Sequence, residues 1–178
     1  MTGTVKEQSI SRTHPAWSPI HPPIAHVAVG AYTTATVCDI LSVAGTGGDG
    51  TAHDLFRAGT FSLMIATGAL FLAVIAGFYE RSRMTAPGSA ARAGSNIHAA
   101  IMSVLGAVAI VDIVIRRHAA DDAVHTPTRN LILTLVLFVL LFVGGRLGGR
   151  LVYKLGVATA VATAPAPPAE ESRLTPNP

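Results

Sequence analysis

Four stretches of the chain are apolar from end to end: 24–44, about 58–79, 97–115 and 131–152. Each is continuous rather than alternating, which argues against half-buried strands. A helix needs about 20 residues to cross roughly 30 Å of hydrocarbon. In lipid, every backbone polar group must find its partner inside the protein. The pattern therefore predicts an all-α integral membrane protein, a four-helix bundle. The fourth run is the most apolar, with LILTLVLFVLLFV ahead of its glycines.

The polar stretches between the runs differ in character. Segment 45–54 (GTGGDGTAHD) reads as a short, flexible, acidic connector, with Asp54 as the cap of the second helix. Segment 80–96 is basic, contains Pro87, and ends on Asn96, which is placed to cap the third helix. Segment 116–130 carries RRH, then DD, then Thr-Pro. Residues 1–23 form an N-terminal tail with Lys6, Arg12, His14, Trp17, Pro19, His21, Pro22 and Pro23. It lacks the apolar core of a cleaved signal, so the first run is expected to stay as a helix. Residues 158–178 are Ala/Pro-rich with little to bury, and a disordered tail is expected there.

Composition agrees with this pattern. Of the 178 residues half are hydrophobic and only 13% charged, with mean hydropathy +0.49. A soluble domain carries about a quarter charged residues. The net charge of +3 sits at the ends of apolar runs rather than in an aromatic-interleaved patch, so no nucleic-acid partner is expected. Basic residues in short connectors set orientation. Lys6, Arg12, Arg81, Arg83, Arg92, Arg146, Arg150, Lys154 and Arg173 outweigh Arg57, Arg116, Arg117 and Arg129, which are offset by Asp49, Asp54, Asp121 and Asp122. Both termini are expected in the cytoplasm. Cys38, the one cysteine, has no disulfide partner in the chain and reads as a small apolar residue.

Ionisable groups inside a bilayer cost several kcal/mol unless they are partnered, so His26, Asp39, His98 and Asp112 stand out. His26 and His98 open the first and third runs, which cross in the same direction and place both imidazoles toward one membrane face. One reading makes them axial ligands of a b-type haem, with Arg146 and Arg150 pairing with its propionates. The simpler reading, which leads, gives each histidine a backbone carbonyl, a water or a polar side chain. Neither has a carboxylate at i+3 or i+4, so no metal site is expected. His98, Met102, Leu105, Ala109 and Asp112 share one helical stripe and should face the interior. On the first run, His26 and Asp39 fall on nearly opposite sides.

Asp39 and Asp112 lie toward the outer ends of their helices. They suggest a proton or cation path, or more simply a capped terminus partnered by Arg57, Arg116 or Arg117. His53, His118 and His125 lie in connectors and should be solvated. Gly144/Gly148 and Gly145/Gly149 are overlapping GxxxG pairs that let helices approach closely. Arg146, Arg150 and Lys154 form a cationic stripe beside Tyr153, suited to anionic headgroups. No nucleophile, base and acid are arranged for catalysis, so no catalytic residue is assigned. A loose two-fold rhythm, His26 to Asp39 and His98 to Asp112, suggests two tandem hairpins.

Several of these residues carry a family likeness. His21-Pro22, His26, Asp39-Ile40-Leu41, Gly77, His98, Leu147-Gly148-Gly149, Leu151-Val152-Tyr153, Lys154 and Gly156-Val157 resemble the bacterial membrane protein family "domain of unknown function 2231". The likeness covers about residues 20–158. It implies a four-helix protein of the bacterial cell membrane whose biochemical activity is not established; some relatives stand in redox contexts. The chain departs from the pattern at Arg146 and Arg150, where an aromatic and an acid are usual, and at Val27-Ala28, where Phe-Pro is usual. The leading expectation is a non-enzymatic membrane component of uncharacterised role or a partner subunit, with a membrane protein or a second copy of the chain (a homo-oligomer) as its partner and the GxxxG face as its contact surface. A haem b electron-transfer protein is the alternative, and a small transporter or proton pathway the weaker one.

Overall fold

A computed structural model describes residues 19–119 and 122–157. They form four helices: α1 (His21–Val43), α2 (Gly48–Met84), α3 (Ala90–Arg117) and α4 (Thr128–Tyr153). All four are long and apolar enough to cross a membrane. The tails at 1–18 and 158–178 lie outside the described residues.

The helix ends follow from local chemistry. Pro22 and Pro23 sit in the first turn of α1, where a missing N–H costs nothing. The expected loop at 45–54 is shorter than composition suggested. Gly45, Gly47 and Gly48 take positive φ and make the turn, and α2 begins at once. Asp54 therefore lies inside α2 and caps nothing. Asn96 likewise lies inside α3, whose cap is Ser89, its Oγ accepting from the Arg92 amide at 3.1 Å. With 37 residues α2 is about 55 Å long, so it projects past the hydrocarbon.

Each helix packs on two neighbours, in the ring α1–α2–α3–α4, with α1 and α3 across a diagonal. Ala35, Ala66, Tyr32, Leu63, Leu105, Ala109 and Leu137 fill the centre. Small residues bring α1 and α2 together most closely: a Cβ on Gly59 would stand 3.3 Å from the Ala35 carbonyl oxygen. Only 22–28% of each span's apolar stretch is buried, so most of its side chains need an apolar solvent. Phe61, Ile65, Phe71, Val139 and Phe142 all point outward, as lipid-facing residues do.

The two hairpins repeat in register. The offset that takes His21 to His98 also takes Ala28 to Leu105, Tyr32 to Ala109, Ala35 to Asp112 and Asp39 to Arg116. Apart from the two half-buried histidines, every residue in that series is buried. A second offset takes Leu63 to Thr134, Ala66 to Leu137, Leu70 to Leu141, Ala73 to Gly144 and Gly77 to Gly148. Large and small residues exchange places between the halves, which keeps the shared core filled.

Candidate functional site

His21 and Asp39 lie five turns apart on α1, and His98 and Arg116 lie five turns apart on α3. Each pair therefore lies on a single stripe. Across the diagonal, the stripes bring histidine to histidine at one end of the bundle and aspartate to arginine at the other.

At the arginine end, Asp39, Asp112, Arg116 and Asn130 are wholly buried. Asp39 Oδ1 accepts from Arg116 Nη1 at 3.0 Å and from the Thr126 hydroxyl at 3.1 Å. Its Oδ2 accepts from Arg116 Nη2 and from the Thr134 hydroxyl at 2.6 Å. Arg116 Nη2 also donates to Thr134 Oγ1 at 2.7 Å. Asp112, one turn before Arg116, pairs with its Nε at 3.2 Å and accepts from Asn130 Nδ2 at 2.7 Å. The guanidinium carbon stands 5.4 Å from the Phe56 ring centre. Ser42 Oγ donates to the Ala52 carbonyl at 2.7 Å and accepts from the Thr126 amide at 2.9 Å, which ties the segment before α4 to α1. Of the cations expected to partner the acids, Arg116 does so, while Arg57 and Arg117 are exposed.

At the histidine end, the His21 and His98 rings meet edge-on, with centres 6.3 Å apart and planes at 88°. His21 Nδ1 lies 2.7 Å from the Ala73 carbonyl oxygen, and His98 Nδ1 lies 3.0 Å from that of Gly144. A carbonyl only accepts, so each Nδ1 donates, and the neutral ring keeps its lone pair on Nε2. Four residues after each carbonyl stands a glycine. A Cβ on Gly77 would approach His21 Nδ1 to 3.1 Å, and one on Gly148 would approach His98 Cε1 to 3.3 Å. The missing side chains thus open the grooves in which the imidazoles sit. Glu80 Oε1 accepts from the Ile20 and His21 amides at 2.8 and 2.9 Å, satisfying the free N–H groups that start α1. At the equivalent place α4 has Leu151, packed where a Gly94 side chain would lie. Because α3 begins well before His98, that backbone needs no carboxylate.

The structure corrects the histidine pairing. His26 is exposed on the outer face of α1, one turn before Val29 and two before Thr33, which line a shallow groove beside Arg146. The imidazole opposite His98 belongs to His21. Arg146 and Arg150 are exposed, and each lies two residues, or about 200°, around α4 from the glycines that meet His98. They do not face the histidine pair. The four glycines divide in the same way. Gly144 and Gly148 pack on α3, while a Cβ on Gly145 would meet nothing within 4 Å and one on Gly149 only its own helix's Tyr153. His53 is not free in solvent: its Nδ1 lies 2.8 Å from the Ala123 carbonyl oxygen. His118 and His125 are exposed, the latter 4.0 Å from Asp49.

Thr126, Asn130, Thr134 and Glu80 escaped the sequence reading. The first three are uncharged, and Glu80 falls just past an apolar run. Asn130 and Thr134 lie one turn apart on the apolar stripe of α4 that continues to Leu137 and Leu141, which was the signal available for them; Thr126 precedes that helix. Residues 17–161 match the profile of a family described as a predicted membrane protein, DUF2231. No curated protein and no solved structure matches the chain.

Proposed function

We propose, for a chain that belongs to the DUF2231 family of predicted membrane proteins, a non-enzymatic role as a structural component of the bacterial plasma membrane and a partner subunit of a larger assembly. One observation carries this reading. The buried ionisable groups are consumed in holding helices together. A carboxylate accepts at about four sites, and Asp39 receives donors from Arg116 Nη1, Arg116 Nη2, Thr126 and Thr134. A proton carrier needs an acid free to gain and lose its proton, and Asp39 is not free. The outward stripe of Gly145 and Gly149 offers a partner helix close approach. The balance of basic residues supports placing both termini in the cytoplasm.

Native mass spectrometry of vesicles made from the source membrane tests the assembly. The chain is expected in a complex heavier than itself, and Gly145→Leu should release it as a folded single chain. Release of the wild type alone refutes the proposal. Proton flux in liposomes that Asp112→Asn abolishes would support a pathway instead.

A further inference from the structure

A purely structural role uses the Nδ1 atom of each histidine and leaves each Nε2 without a task. We infer that His21 and His98 hold one transition-metal ion between their Nε2 atoms, at the end of the bundle opposite the buried ion pairs. Four observations converge on this. Both Nδ1 atoms are anchored to backbone carbonyls, on α2 and on α4, which is the arrangement that fixes tautomer and ring orientation in metal-ligating histidines. Neither Nε2 has a hydrogen-bond partner among the described residues. Metal–nitrogen bonds are about 2 Å, and each ring centre lies roughly another ångström beyond its nitrogen, so two imidazoles on opposite sides of one ion stand about 6 Å apart. The observed separation is 6.3 Å. Finally, Met102 stands one turn after His98, and its thioether sulfur is 3.3 Å from where a Gly144 side chain would begin, beside the carbonyl that anchors His98. That places a soft donor one turn along α3 from His98, near the carbonyl that anchors it.

The donor set limits the ion. Among the described residues no three His, Cys, Asp or Glu side chains cluster, so a tetrahedral zinc site closed by protein ligands is not formed here. Two imidazoles suit an iron already held in a macrocycle, or monovalent copper, which imidazole and thioether ligands accept. The shared chemistry is axial ligation by two neutral imidazoles, and the experiment separates the two sources.

The full chain, carrying a tag without histidines, is purified in lipid nanodiscs from haem-replete cells. A reduced-minus-oxidised optical spectrum reads haem iron. Anaerobic competition with bicinchoninate reads copper(I). One of the two is expected at one metal per chain. His21→Asn and His98→Asn keep a donor for the carbonyl and remove the Nε2 lone pair. Each should weaken binding at least 100-fold while circular dichroism shows the helices intact. His26→Asn should bind as the wild type does. For copper, Met102→Leu should weaken binding about 10-fold. No metal in either arm overturns the proposal, as does binding that survives both the His21 and His98 substitutions or disappears with His26→Asn. This outcome is independent of the assembly test, which the vesicle masses decide.

Discussion

Replacing Arg116 with methionine keeps most of the side chain's length and removes its charge. Two wholly buried carboxylates, Asp39 and Asp112, then lose their common cation. Asp39 retains only the Thr126 and Thr134 hydroxyls. Breaking a buried pair by removing one partner costs about 3–5 kcal/mol, because a charge is left uncompensated. Neutral hydrogen bonds between membrane helices average only about 0.6 kcal/mol. Arg116 also donates from Nη1 to the Thr60 hydroxyl at 3.4 Å; if it served merely as a donor to Thr60 and Thr134, its loss would come to roughly 1 kcal/mol. The two accounts thus differ several-fold. Unfolding free energy in bicelles, read by steric trapping on the full chain, distinguishes them. Arg116→Met should cost about 3–5 kcal/mol. Adding Asp39→Asn should recover part of that loss, since the amide carries no charge. A single-mutant cost near 1 kcal/mol, or a double mutant equal to the sum of its parts, would refute the reasoning.

Three further outcomes follow from named contacts. Glu80→Leu strips the one carboxylate oxygen that accepts from both the Ile20 and His21 amides and should cost about 1–3 kcal/mol; hydrogen exchange should quicken at those amides, and Glu80→Gln should largely restore protection. Gly148→Ala places a methyl 3.3 Å from His98 Cε1 and should lower the melting temperature, whereas Gly145→Ala, which meets nothing within 4 Å, should leave it unchanged. Ser42→Ala removes the link between α1, Ala52 and Thr126, with a loss of about 1–3 kcal/mol read in the same bicelle assay.

The spans were legible because lipid demands long apolar helices, and the sequence supplies four. The third-helix stripe was legible too: Met102, Leu105, Ala109 and Asp112 are all buried, as its 3.6-residue period required. The ends were not. GTGGDGTAHD has the composition of a loop, yet the four residues Ala44 to Gly47 suffice for the turn and everything from Gly48 on is wound into α2. The histidine pairing failed for a related reason. Pro22 and Pro23 looked like the end of a tail, so the helix was expected to open after them, which made His26 its first histidine. Prolines in a first turn are compatible with helix, and α1 starts at His21. The equal spacing of His21 to Asp39 and His98 to Arg116, both five turns, was present in the sequence. The apolar run ends at Ile115 while the helix continues to Arg117, so hydropathy alone leaves Arg116 in the connector and hides that spacing. The threonines and Asn130 carried no charge to draw notice, although each sits on the buried face of its segment.

The ion-pair cluster also orders the protein's birth. Asp39 belongs to the first hairpin, while Arg116, Asp112, Thr134 and Thr126 all belong to the second or to the segment that joins its helices. As the ribosome delivers α1 and α2, the carboxylate enters or edges the bilayer before Arg116, its cation in the folded bundle, has been made. An aspartate at a helix centre costs the insertion machinery about 2.5–3.5 kcal/mol, less toward the ends. The first hairpin is therefore an unfinished object until α3 arrives, and a chain truncated after Met84 carries a ready mark for membrane quality control.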